Sequence, residues 1–179
     1  MSNQVILWSM LLTPFLTLFF MKKEDVKRYM PVGLFSAVTS AIIGDVGVTL
    51  GFWVHRETAY PLHSLMPFDI GLNLVLTMWV FIFTYRRFWM YMITNAILDI
   101  GFDFFLFQYY FPSRDIFNLV GISPFQSYLI TLGHALVIYG YQMWQEGILV
   151  RSERTTFLGN LQPATKPLSR DQENKPDDE

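Results

Sequence analysis

Residues 88–107 read FWMYMITNAILDIGFDFFLF, and this stretch decides the fold. It is a mainly apolar run of the length a helix needs to cross a bilayer, about 17–25 residues at 1.5 Å per residue. Outward from it lie four more such runs, at 5–21, 31–53, 69–85 and 126–144. The predicted fold class is therefore all-α, a polytopic membrane bundle of five transmembrane helices occupying residues 1–150. From Arg151 the composition turns to Ser, Thr, Pro, Asn and charge, so 151–179 is expected to be a disordered cytoplasmic tail that cannot bury a core.

The composition agrees. Only 16% of the 179 residues are charged while 52% are apolar and 17% aromatic; a soluble domain carries about a quarter charged residues. The absence of cysteine excludes a disulfide scaffold, a thiolate metal site and a cysteine nucleophile. A formal net charge of −2 without a basic stripe argues against nucleic acid as a partner.

Basic residues orient the spans. With the 22–30 loop in the cytoplasm, Lys22, Lys23, Lys27, Arg28, Arg86, Arg87, Arg151, Arg154, Lys166, Arg170 and Lys175 fall inside, and only Arg56 and Arg114 outside. This asymmetry predicts an N-terminus outside, a cytoplasmic C-terminus and a multi-pass protein of the cytoplasmic (plasma) membrane. The first run lacks a preceding basic residue and a small-residue cleavage pattern, so it reads as a retained span. Trp8, Trp53, Tyr60, Tyr109 and Tyr110 are expected as outer aromatic anchors, and Tyr29, Tyr85, Trp89 and Trp144 as inner ones. The outer loops 54–68 and 111–125 read as short interfacial turns, rimmed by the charges Arg56, Glu57, Arg114 and Asp115.

A carboxylate near the bilayer centre costs several kcal/mol, about 2.5–3.5 on insertion scales, so it faces a cavity, a partner or a cation. Asn95, Asp99 and Asp103 recur at steps of four and are expected on one helical face. Asp69, Asn73 and Thr77 repeat the device in the preceding span, and counting from the Arg86–Arg87 turn places the two columns level with one another. Asp45 and His134 fall at similar heights. Two acids one turn apart in low dielectric do not both ionise cheaply; either one keeps its proton or a cation sits between them.

This cluster yields candidate catalytic groups Asp99, Asp103, Asp45 and His134, with Asn95, Asp69, Asn73, Phe102 and Tyr109 as candidate substrate-binding residues. A protonated carboxyl in an aromatic-lined cavity is a general acid in form. A single intramembrane histidine without cysteine makes zinc a poor fit, whereas Asp99 and Asp103 suit magnesium shared with a phosphate. Gly47 and Gly51 form a small-xxx-small pair, read first as close packing within the bundle and second as a homo-oligomer contact.

Two resemblances bear on this reading. KKEDVKRYMP at 22–31, MPFDIGLN at 66–73 and YGYQMWQEG at 139–147 resemble an uncharacterised family of small multi-pass membrane proteins from spore-forming Gram-positive bacteria. That likeness implies the membrane class and brings no activity. Asn95-x-x-x-Asp99-x-x-x-Asp103 is similar to the first Asp-rich motif of intramembrane prenyltransferases, which implies magnesium or diphosphate ligands at those three positions. The chain departs from that family in its short length, its lack of a second such motif and its acids in the outer half of the membrane. In size, aromatic content and buried acids it also looks like small membrane terpene cyclases, which protonate an alkene or epoxide.

Three functions follow as expectations. The first is acid catalysis on an isoprenoid or other lipid, terpene cyclase- or prenyltransferase-like. The second is a non-catalytic membrane partner or assembly protein whose acids bind helices together. The third is a small proton- or cation-coupled carrier using the same acids.

Overall fold

Each apolar run forms one helix in the computed structural model, which describes residues 2–62 and 66–160, with the backbone alone for 148–160. We label these α1 (Asn3–Phe20), α2 (Lys23–Thr49), α3 (Phe68–Thr84), α4 (Phe88–Ser113) and α5 (Pro124–Asn160). Among the described residues, α1, α2 and α4 are long and apolar enough to cross a membrane, and α3 is a shorter apolar helix. The chain forms two compact units, Met1–Met143 and Trp144–Glu179, and all contacts below lie within the first. The helix that begins at Pro124 runs on to Asn160, so the first ten residues of the expected tail are helical; residues 161–179 lie outside the described residues.

Local chemistry explains the helix ends. Glu24 and Asp25 occupy the first turn of α2, where carboxylates favour the exposed N–H groups. Pro14 lacks an N–H donor, and beyond it the final turn of α1 tightens to a 3₁₀ helix at Thr17–Phe20. Arg86 turns the chain from α3 to α4 with φ 58°. Two segments wind more loosely, with the i→i+5 pattern of a π-helix: Phe68–Asn73 opening α3 and Gly101–Tyr110 within α4.

The loops expected as plain turns do more than connect. Trp53–His55 (β1) pairs antiparallel with Phe117–Leu119 (β2), with Trp53 opposite Leu119 and His55 opposite Phe117. Arg56 N–H extends the pairing to the Ile116 carbonyl at 2.8 Å. Beneath this sheet Leu7, Trp53, Ala59, Met66, Phe111, Ile116 and Phe117 form a buried cluster. Trp53 is thus a core residue, 8% exposed, rather than the lipid anchor its position suggests. The indole N–H donates to the Gly44 carbonyl at 3.0 Å. A Cβ on Gly47 would meet that ring at 1.9 Å, so the small-residue spacing serves this packing. Gly51 takes φ 73° as the chain leaves α2.

A second cluster occupies the other end, near Arg86, where Tyr29, Val32, Leu74, Met78, Phe81 and Tyr91 are buried. Phe81 and Tyr91 approach at 4.8 Å between ring centres, and the Tyr91 hydroxyl donates to the Ala135 carbonyl at 3.0 Å. Arg28 lies over the Tyr85 ring at 4.1 Å. The outside of the bundle is apolar: Leu34, Val38, Ile42 and Val46 follow one another at steps of four along α2, each about half exposed. Such a continuous stripe is unusual on a soluble monomer and suits a membrane.

Candidate functional site

The polar residues of the bundle meet across helices through hydroxyl groups. Ser40 on α2 donates to Asp69 Oδ1 on α3 at 2.5 Å. Ser127 and Thr131 on α5 donate to the two oxygens of Asp103 on α4, at 2.6 and 3.0 Å. Thr39 on α2 meets His134 Nε2 on α5 at 2.6 Å, and Thr77 on α3 donates to Ser36 on α2 at 3.0 Å. Interhelical hydrogen bonds of this kind in membranes average about 0.6 kcal/mol each. Together they hold four helices around two small chambers.

The first chamber, about 90 Å³, lies at the sheet end. Ser40, Gly44, His55 and Asp69 line it, together with Trp53, Phe68, Phe107 and Phe117. Asp69 is 8% exposed. Its Oδ1 is held by Ser40, and its Oδ2 accepts no hydrogen bond from the described residues and lies 3.6 Å from the position a Cβ of Gly44 would take. Burial holds the His55 imidazole below its ordinary value of 6.5, opposed by the attraction of Asp45.

The second chamber, about 70 Å³, shares Ser40, Phe68, Phe107 and Thr131 with the first and extends toward the arginine end. Asn73, Thr77, Asn95, Asp99, Phe102 and His134 line it. The columns expected to face one another in the α3–α4 hairpin therefore do meet, at Asn73 and Thr77 against Asn95 and Asp99. Asp99 Oδ2 is buried and has no hydrogen-bond partner among the described residues. The cost of burying such a group unpaired is about 1–3 kcal/mol, more if charged. Phe68 stands where the chambers adjoin, 5.2 Å from Phe102 and 5.4 Å from Phe107 between ring centres.

Three expected site residues lie elsewhere. Asp103 is fully buried against α5 and lines neither chamber. Its two oxygens are taken up by Ser127 and Thr131, so it serves the contact between α4 and α5 rather than a chamber. Tyr109, on the same loosely wound segment, is 68% exposed. Asp45 is exposed beside Ile42 and Val46 on an open outer groove of α2, clear of the enclosed acids. The hydroxyls Ser40, Thr39, Ser127 and Thr131 and the sheet residues His55 and Trp53 complete the site. Their types are too common in spans and loops to stand out in a sequence, and their partners lie on other helices.

Of the three positions expected to hold magnesium, Asp99 offers an uncommitted oxygen. Both oxygens of Asp103 accept hydroxyl protons, and the Asn95 amide donates to the Tyr91 carbonyl of its own helix at 2.9 Å. No group of three or more His, Cys, Asp or Glu converges among the described residues. Each chamber has room for a few waters or one small solute, against the roughly 300–1,000 Å³ of sites for larger organic ligands. No protein-family model, curated protein or solved structure matches the chain.

Proposed function

We propose that this chain is a five-span protein of the cytoplasmic membrane, N-terminus outside, and that it acts as a small proton- or cation-coupled carrier with Asp99 as its proton-exchanging group. The observation that carries this reading is the buried Asp99 Oδ2, without a hydrogen-bond partner among the described residues, on a chamber too small for a lipid chain. Both oxygens of Asp103 and one of Asp69 accept hydroxyl protons from neighbouring helices, whereas Asp99 Oδ2 is left for a proton, a water or a guest. An ionised carboxylate in that position is expensive unless something compensates it, so protonation and guest binding at Asp99 are coupled.

Acid catalysis on an isoprenoid is a second reading. Phe68, Phe102 and Phe107 around the Asp99 chamber favour it, since their faces suit a carbocation. It requires the chambers to open and merge around a hydrocarbon.

Reconstitution separates the two. Liposomes containing the protein and a lumenal pH dye should acidify faster after an external acid pulse than empty liposomes. Asp99→Asn should abolish the excess while eluting as a monodisperse species, and Asp99→Glu should keep part of it. Proton movement in Asp99→Asn equal to that of the unaltered protein would overturn the carrier reading. Altered lipid extracts from cells bearing the unaltered protein but not Asp99→Asn would support the enzymatic one.

A further inference from the structure

The sheet-end chamber has a composition of its own. One buried carboxylate, Asp69, presents an uncommitted oxygen to a space walled by Trp53, Phe68, Phe107 and Phe117. The rings form a connected wall: Phe68 to Phe107 at 5.4 Å, Phe107 to Phe117 at 4.9 Å and Phe117 to Trp53 at 6.4 Å between centres. No Lys or Arg among the described residues lines it.

We infer that this chamber is a binding site for a small organic ammonium ion, held by the Asp69 carboxylate and by the aromatic walls. A methylated ammonium is the class of cation that aromatic walls recognise, because ring faces attract a charge whose methyl surface avoids the desolvation cost of a bare ion. Asp69 Oδ2 supplies the counter-charge, and Ser40 fixes the carboxyl by holding the other oxygen. The absence of a side chain at Gly44 leaves the space beside Oδ2 open. The volume of about 90 Å³ admits a cation of the size of methylammonium but no long chain. His55, the one other titratable group on the chamber among the described residues, is held toward its neutral form by burial and does not compete as a cation at neutral pH.

The inference rests on the carrier reading and deepens it by naming the cargo; calorimetry reads this site and the liposome assay reads proton exchange. The full-length chain in mild detergent is titrated with methylammonium by calorimetry, and with methanol as a neutral probe of similar shape. Saturable binding of methylammonium alone is expected. Asp69→Asn should weaken it at least about tenfold. Phe107→Leu keeps apolar bulk but removes a ring face and should weaken it roughly threefold to thirtyfold; it decides the matter if Asp69→Asn does not fold. Gly133→Ala, which lines neither chamber, should bind as the unaltered protein does. Saturable binding without proton exchange would overturn the carrier reading alone, and proton exchange without binding would overturn this site alone. Equal binding of methanol, or binding indifferent to both Asp69→Asn and Phe107→Leu, would overturn the inference.

Discussion

The two ends of the bundle solve the same packing problem differently. At the arginine end, α-wound segments bring Tyr29, Phe81, Tyr91 and Tyr139 together, with Phe81 and Tyr91 1% exposed. At the sheet end, the π-wound segments Phe68–Asn73 and Gly101–Tyr110 carry Asp69 and Asp103, and the space between helices is filled by hydroxyl–carboxylate pairs and by the chambers. Regular winding suits close apolar packing because side chains recur on one face at every turn. A π turn accommodates an extra residue and rotates the helix beyond it, which leaves gaps and lets polar groups meet across helices. The arginine end is closed by ring packing, the sheet end keeps the Asp69 chamber beside its own apolar cluster, and the Asp99 chamber runs from one toward the other.

If so, the largest difference between the ends should appear on removing one ring from each. Phe81→Ala opens a cavity where packing is tight and should cost roughly 3–5 kcal/mol, whereas Phe68→Ala enlarges chambers already present and should cost less than about 2 kcal/mol. Unfolding in mixed micelles of increasing sodium dodecyl sulfate content measures both. Equal losses would remove the distinction between a packed and an open end.

The legibility of the sequence divides along the same line. Apolar runs and Arg86–Arg87 located the helices, because hydropathy and charge act over whole segments. The meeting of Asn73 and Thr77 with Asn95 and Asp99 was legible because a tight turn fixes the heights of two adjacent helices. The fates of Asp103 and Tyr109 were not, since the first is decided by hydroxyls on another helix and the second by which side of a π-wound segment stays uncovered. Nor was the sheet: each strand has three residues, and Trp53 pairs with Leu119, 66 positions away. Asp45 misled for a plainer reason, that height along a helix does not fix the direction a side chain faces.

A smaller effect tests how the sheet end is held to α2. Gly47→Ala pushes against the Trp53 indole and should cost about 1–3 kcal/mol, with methylammonium binding weakened because Trp53 walls the chamber. Gly133→Ala on α5 meets nothing within 4 Å and should be neutral or stabilising by about 0.5–1 kcal/mol, through lower flexibility of the unfolded chain. Unfolding in the same mixed micelles compares the two. A Gly47→Ala as benign as Gly133→Ala would mean that Trp53 does not hold the sheet end against α2.

The smallest effect is a pH dependence at the same end. His55 titrates below 6.5 in the folded protein because burial disfavours its charged form, and near 6.5 once unfolded. Below about pH 6.5 the unfolded chain therefore binds a proton that the folded chain does not, so His55 lowers stability as pH falls through that value and costs nothing above it. His55→Gln cannot titrate, and its stability relative to the unaltered protein should rise as pH falls. Asp69 on the chamber, Asp45, whose attraction acts on His55, and Arg56, Glu57 and Asp115 on the same rim are present in both proteins. Asp45 opposes the burial of His55, and Asp45→Asn should therefore steepen the loss of stability on the acid side. Parallel pH profiles for His55→Gln and the unaltered protein would mean that His55 is hydrated, and that the sheet end is open to water rather than roofed.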